Sequence, residues 1–196
     1  AMKLAFDAGE IDMAFTVTPE VAKMIKDAGK NVKTIDAGYQ YFGIFNLNSD
    51  IMKDEKVRQA INLGINRDEY VKSLMGGRVA TGFFAQYFDF AGDVKLSQDL
   101  EKAKKLLDEA GYVMKEKARV KDGKTLDINI KTYQKRPDLP IIMQIMASQL
   151  KELGFNVNTQ IVDGIDNVGK SGDFDLILYA QHTAPTGDPA FSLNQF

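Results

Sequence analysis

The chain has 196 residues, 44% of them hydrophobic and 27% charged, which suits one full core or two modest ones and excludes an intrinsically disordered chain. Its net charge of −2 leaves no basic excess to neutralise phosphates, so nucleic acid is not an expected partner. The absence of cysteine removes disulfides and thiolate metal sites, and the longest apolar run, Leu176 to Ala180, is far too short to cross a bilayer.

Ile11, Met13, Phe15 and Val17 alternate with Asp12, Ala14 and Thr16, a period that predicts a half-buried strand. Thr18 then offers a helix cap, with Pro19 at the first helical position. Val21, Met24, Ile25 and Ala28 form the inner stripe, and Gly29 is the stop. Val32 to Ile35 reads as a second short strand. Tyr39 to Phe45, rich in aromatic and β-branched residues, reads as a third, ending in the turn chemistry of Asn46 to Asp50. Val57, Ala60, Ile61, Gly64 and Ile65 recur at helical spacing. Asn66 restarts the helix, with Glu69 placed to complete a capping box; Tyr70, Val71 and Leu74 give the next apolar face and Gly76-Gly77 the stop.

The run Thr81 to Phe90 is aromatic without clean periodicity, which predicts a loop over the core or an aromatic shelf for a ligand. Asp99 caps a helix through Ala110, stopped by Gly111, and a charged connection follows to the turn signal Asp122-Gly123. Leu126, Ile128 and Ile130 alternate with polar residues. Pro140 opens a helix carrying Ile142, Ile145, Met146, Leu150 and Leu153, closed by Gly154, and Phe155, Val157, Thr159 and Ile161 alternate again. Strand, helix and strand with short connections predict a right-handed crossover with parallel neighbours. Phe174 to Ala180 is nearly all apolar, as in a strand covered on both faces.

Gly164-Ile165-Asp166-Asn167-Val168-Gly169-Lys170-Ser171 satisfies the phosphate-loop pattern letter for letter. Such a loop must open a helix so that backbone N–H groups converge on phosphate, whereas here Gly172-Asp173 and an apolar strand follow at once. A nucleotide hydrolase using Gly169, Lys170 and Ser171 is therefore the alternative function, and the reading is of a coincidental match in a loop or short helix. His182, the single histidine, lies just beyond the carboxyl end of the apolar strand, where open α/β sheets place ligands. No nucleophile elbow, cysteine or motif-spaced Ser or Asp accompanies it, so the chain is not expected to be an enzyme or to need a cofactor.

Four blocks stand in order: Phe45-Asn46-Leu47-Asn48-Ser49 with Asp54 to Val71; Asp99 to Tyr112; Ala147 to Val157; and Gly172 to Leu178 with Gly187-Asp188-Pro189-Ala190-Phe191. Together they resemble the family 5 extracellular solute-binding proteins, the peptide and nickel receptors of ABC importers, with Arg58-Gln59-Ala60-Ile61 and Arg67-Asp68 matching best. The resemblance implies an α/β fold, a periplasmic-binding-protein-like lobe with a mixed sheet flanked by helices. Residues 1–45 would be a flanking piece of the first lobe with a hinge strand, and 46–196 most of the second lobe. Gly9-Glu10-Ile11-Asp12 sits deep inside proteins of that family, so the chain is expected to be part of a longer one that binds weakly by itself.

The same resemblance implies an extracytoplasmic location, periplasmic or lipid-anchored. It implies an oligopeptide or nickel chelate held between two lobes, and as partners the permease subunits and the first lobe of the same protein. The residues expected to meet ligand are Tyr41, Phe42, Asn46, Gln181, His182 and Thr183, with His182 as the metal candidate. The segment Gln181 to Asp188 lacks the Trp frequent in those receptors. One His cannot by itself make a nickel site without carboxylates, a chelator or the other lobe.

Overall fold

The computed structural model describes residues 2–15 and 17–195. It begins with α1 (Met2–Asp7) and α2 (Pro19–Asp27). Thr18 caps α2 as expected, its hydroxyl accepting from the Val21 N–H at 3.4 Å, and Gly29 follows with φ +76°. Only Ile25 of the expected stripe is buried.

The expected strands at 11–17 and 32–35 do not form among the described residues; Thr16 lies outside them. Alternation makes a strand only where a neighbouring segment completes the ladder, and neither run belongs to a sheet among the described residues. Met13 stays 64% exposed and Ile35 74%.

From Tyr39 onward the elements fall where sequence periodicity puts them. They are β1 (Tyr39–Phe45), α3 (Glu55–Gly64), α4 (Arg67–Leu74) and α5 (Leu100–Glu109). Val57, Ala60, Ile61 and Gly64 form the buried face of α3. Asn66 caps α4, its side-chain oxygen accepting from the N–H groups of Asp68 and Glu69 at 3.1 and 3.3 Å. Glu69 does not return the bond that a capping box requires; its carboxylate accepts from Gln149 instead, at 2.6 Å. Nor do the glycines make the first left-handed turn, because Met75 takes it with φ 53° and Gly77 repeats it two residues on at 81°. Asp99 caps α5 through Lys102 N–H at 2.9 Å. Asp99→Ala should lower stability by about 1 kcal/mol in urea unfolding, with Asp99→Asn close to neutral.

The charged stretch after Tyr112 is a small meander rather than a plain connection: β2 (Val113–Lys115), β3 (Ala118–Lys121) and β4 (Lys124–Thr125) form an antiparallel three-stranded sheet. The buried Arg119 on β3 anchors it. Then come β5 (Asp127–Tyr133), α6 (Asp138–Glu152), β6 (Asn156–Val162), α7 (Ile165–Ser171), β7 (Leu176–His182) and α8 (Ala190–Leu193). Helix α6 starts two residues before Pro140, which sits in the first turn where its missing N–H leaves no gap.

The main sheet has the order β1-β7-β5-β6. β5 and β6 run parallel from Asp127 opposite Asn156 to Tyr133 opposite Val162, as the crossover pattern predicts, and β1 is antiparallel to β7. Leu176, Leu178 and Ala180 of β7 join Ile128 and Ile130 of β5 in one core with Val57 and Ile61 of α3, Leu107 of α5 and Met143, Met146 and Leu150 of α6. The aromatic run 81–90 is a loop whose rings pack on each other, with Phe84–Phe90 and Phe88–Phe90 centroids both 5.0 Å apart, and Phe83 pins it to Phe42 of β1 at 5.2 Å.

Candidate functional site

At the carboxyl end of β7 several elements converge. In the antiparallel register Tyr39 lies opposite His182 and Tyr41 opposite Ala180, while Phe42 lies opposite Tyr179 on the other face of the sheet. The Tyr39 and His182 rings meet edge to face at 5.5 Å, and the Arg136 guanidinium, from the segment joining β5 to α6, lies over the Tyr39 ring at 4.1 Å. Tyr41 donates its hydroxyl to Asp138 at 2.8 Å, and burial together with that carboxylate pushes its phenol well above the ordinary tyrosine range. On the opposite face Phe42, Tyr179 and Tyr133 follow one another at centroid spacings of 6.0 and 5.6 Å.

His182 Nδ1 and Thr183 Oγ1 are buried and lack any hydrogen-bond partner. A buried polar atom left unpaired costs about 1–3 kcal/mol, so these two atoms are a local cost that the fold carries at the end of β7. The backbone around them is satisfied: Thr183 donates its N–H to Gly38 O at 3.2 Å and accepts from Ser192 Oγ at 2.6 Å. Gln181 donates to Gln195 at 2.9 Å.

Of the residues expected to meet ligand, Tyr41, Gln181, His182 and Thr183 are brought to one end of the β1–β7 pair, while Phe42 sits at its midpoint and faces the opposite side of the sheet from Tyr41. Asn46 is not among them. It lies at the far end of the pair, where its side chain donates to the carbonyls of Gly172 and Phe174, both at 2.9 Å, and accepts from Asn48 N–H at 3.1 Å. Asn46 there lines an open polar hollow of about 520 Å³ together with Ser49, Asn129, Lys170 and Asp175. Tyr39, Arg136, Tyr133 and Tyr179 escaped the sequence reading. The one available signal was that Arg136 follows a strand end and precedes a helix, the position at which His182 was singled out.

The phosphate-loop pattern has the wrong geometry. Helix α7 starts inside it, at Ile165, so Gly169, Lys170 and Ser171 occupy its carboxyl end, where the exposed groups are carbonyls and the dipole repels phosphate. Among the described residues no group of three or more His, Asp or Glu side chains is arranged to hold a metal ion, and no helix is long and apolar enough to cross a membrane.

Residues 1–196 match the family described as bacterial extracellular solute-binding proteins, family 5 middle. The oligopeptide-binding protein AppA of Bacillus subtilis is 30% identical over 145 residues, covering 68% of this chain and 26% of that protein. The nickel-binding protein NikA of Staphylococcus aureus is 28% identical over 145 residues, covering 72% of this chain and 28% of that one. An ABC transporter substrate-binding protein from Sinorhizobium meliloti superimposes with a TM-score of 0.80 at 28% identity, over 96% of this chain and 40% of that structure. The chain therefore spans well under half the length of the proteins it matches, and it belongs to the family 5 bacterial extracellular solute-binding proteins.

Proposed function

We propose that this chain is part of an extracytoplasmic receptor that captures an oligopeptide or a nickel chelate between two lobes and delivers it to the permease of an ABC importer. Residues 46–196 supply most of the second lobe, and residues 1–45 supply a piece of the first together with the hinge strand. In this reading the receptor is periplasmic or lipid-anchored on the outer face of the membrane, and hinge closure buries the ligand.

The observation that carries the reading is the match of residues 1–196 to the family 5 solute-binding proteins, whose relatives include an oligopeptide-binding and a nickel-binding protein. Tyr41, Phe42, Gln181, His182 and Thr183 form the ligand wall on this side. The Arg136 guanidinium beside them suits the carboxylate that a peptide terminus and a metal chelator share. If nickel is the cargo, His182 is its one imidazole here and the chelator supplies the remaining donors. Asn46 keeps a structural place in this reading, holding the far end of β1 against β7.

The test is a thermal-shift screen of the complete receptor against short peptides, nickel with and without chelators, and ATP with magnesium. A ligand at a hundredfold excess over its dissociation constant should stabilise the protein by about 2.7 kcal/mol. Stabilisation by peptide or by nickel chelate fixes the cargo. A shift with ATP alone would instead favour the hydrolase and sink the receptor reading.

A further inference from the structure

Helix α4 is closed by two left-handed residues, Met75 with φ 53° and Gly77 with φ 81°. Between and just after them the chain meets the segment that precedes β1. A Cβ built on Gly76 would lie 3.2 Å from Cγ of Pro19 and 3.7 Å from its Cβ, so any side chain at position 76 presses on the first turn of α2. Two residues on, Nη2 of Arg78 donates to both carboxylate oxygens of Asp36 at 2.6 Å. Phe83, further along the same connection, packs on Phe42 of β1 and so fixes that connection to the sheet.

We propose that Arg78 and Asp36 form a latch between the two lobes, with Gly76 against Pro19 as its stop, and that salt loosens the latch. The proposal rests on the reading above in which residues 1–45 come from the first lobe and the hinge strand. Pro19 and Asp36 then stand on one side of the hinge and Gly76 and Arg78 on the other, while β1 is the covalent link between them. A reversible contact across a hinge favours the arrangement that contains it by its own free energy.

The two halves of the contact differ in kind. The side chains of Arg78 and Asp36 are 62% and 55% exposed, so water surrounds the pair and dissolved ions weaken it. Pairs this exposed change an equilibrium by about 1.4- to 5-fold. The contact of Gly76 with Pro19 carries no charge, so screening leaves it alone. Salt therefore acts on one half only, which lets the latch and the stop be separated.

The test uses the complete receptor without ligand, spin-labelled at two exposed positions, Met24→Cys on α2 and Lys102→Cys on α5. Double electron–electron resonance then reads the distribution of distances between the lobes. Raising the salt from about 0.01 M to about 1 M shortens the screening length from about 30 Å to about 3 Å. The weight of the latched distance relative to the others should fall by about 1.4- to 5-fold. Arg78→Met should show the high-salt distribution already at low salt and respond no further, and Asp36→Asn should match it. Arg78→Lys keeps the charge and should keep the salt response. Gly76→Val should move the distribution at both salt concentrations. A single, salt-independent distance in the parent receptor overturns the latch, as does a salt response that survives in Asp36→Asn, which decides the matter even when Arg78→Met fails to fold. An unmoved distribution in Gly76→Val overturns the stop. A receptor that takes neither peptide nor nickel chelate sinks the proposed cargo without touching these distances, and a fixed distance with ligand capture intact does the reverse, so the two readings fail separately.

Discussion

Arg119→Met is expected to lower the stability of the chain by about 2–4 kcal/mol in urea unfolding, because it strands two carbonyl acceptors, each worth about 1–3 kcal/mol when buried. Arg119 is 3% exposed, and its guanidinium is divided among the Leu153 carbonyl at 2.9 Å, the Tyr112 carbonyl at 2.6 Å and the Asp108 carboxylate. Its backbone is also engaged, donating to Gly154 O and accepting from Leu126 N–H, both at 2.8 Å. One side chain therefore closes the carboxyl ends of α5 and α6 and seats the β2–β4 meander on them. Methionine retains the packing volume and loses every bond, leaving carbonyls buried without donors.

The Asp108 bond should contribute little of this. Asp108 is 60% exposed, so water screens the pair, and Asp108→Asn should cost under about 1 kcal/mol. Equal losses in the two variants would show that the carbonyl bonds do not matter. A fall in the urea midpoint at constant slope is the result that fits a locally supported, cooperatively unfolding chain.

Gln149→Leu is the second large effect, with an expected loss of about 3 kcal/mol. The amide is 6% exposed on α6 and fully used. Its oxygen accepts from Asn66 N–H at 3.1 Å and from the Tyr70 hydroxyl at 3.0 Å, and its nitrogen donates to Glu69 at 2.6 Å and to Asn66 O at 3.4 Å. Leucine fits the space but strands the Tyr70 hydroxyl, whose phenol burial already pushes above its ordinary range, and the first turn of α4. Gln149→Glu brings a second carboxylate against Glu69, so one proton is held more tightly in the folded state than in the unfolded chain. Its stability should accordingly recover as pH falls through the carboxylate range and decline as pH rises. A pH-independent loss would mean that shape, not charge, is what position 149 demands.

These two residues show where sequence reading stops. Gln149 sits among Met146, Ala147 and Leu150 on a helix whose apolar stripe was easy to see, and nothing in its spacing says that a polar side chain there is turned inward to α4. Glu69 stands at the position of a capping-box acid, and its local partner lost to a residue on α6. Arg119 lies in a charged stretch that composition assigns to solvent. Local rules registered the caps at Thr18, Asn66 and Asp99 because each is satisfied within three residues. They also registered β5, α6, β6 and β7, whose apolar periods are set by a core within the same chain. The alternation at 11–17 and the run at 32–35 obey the same rule of side-chain period, but a strand is a property of two chains, and the rule names only one. At the site, the carboxyl end of β7 was legible from the apolar run before it; the close approach of the His182 ring to the Gly38 backbone was not, since a glycine before a strand ordinarily signals no more than a turn.

The place of β7 in the sheet also sets an order of events during synthesis. Among the described residues β1 pairs with β7 alone, and β7 follows it only after β2 to β6 have been made. At roughly 5–20 residues per second, the ribosome leaves β1 without its partner for on the order of ten seconds. Throughout that interval Tyr41, Phe42, Ile44 and Phe45 are part of an emerged apolar segment with open backbone donors and acceptors, while α3, α4 and α5 have already been delivered. The final loop closure is the longest in the sheet and therefore the slowest to nucleate. Residues 39–45 thus emerge long before their partner, and the end of the pair that carries His182 is assembled only when β7 is delivered beside them.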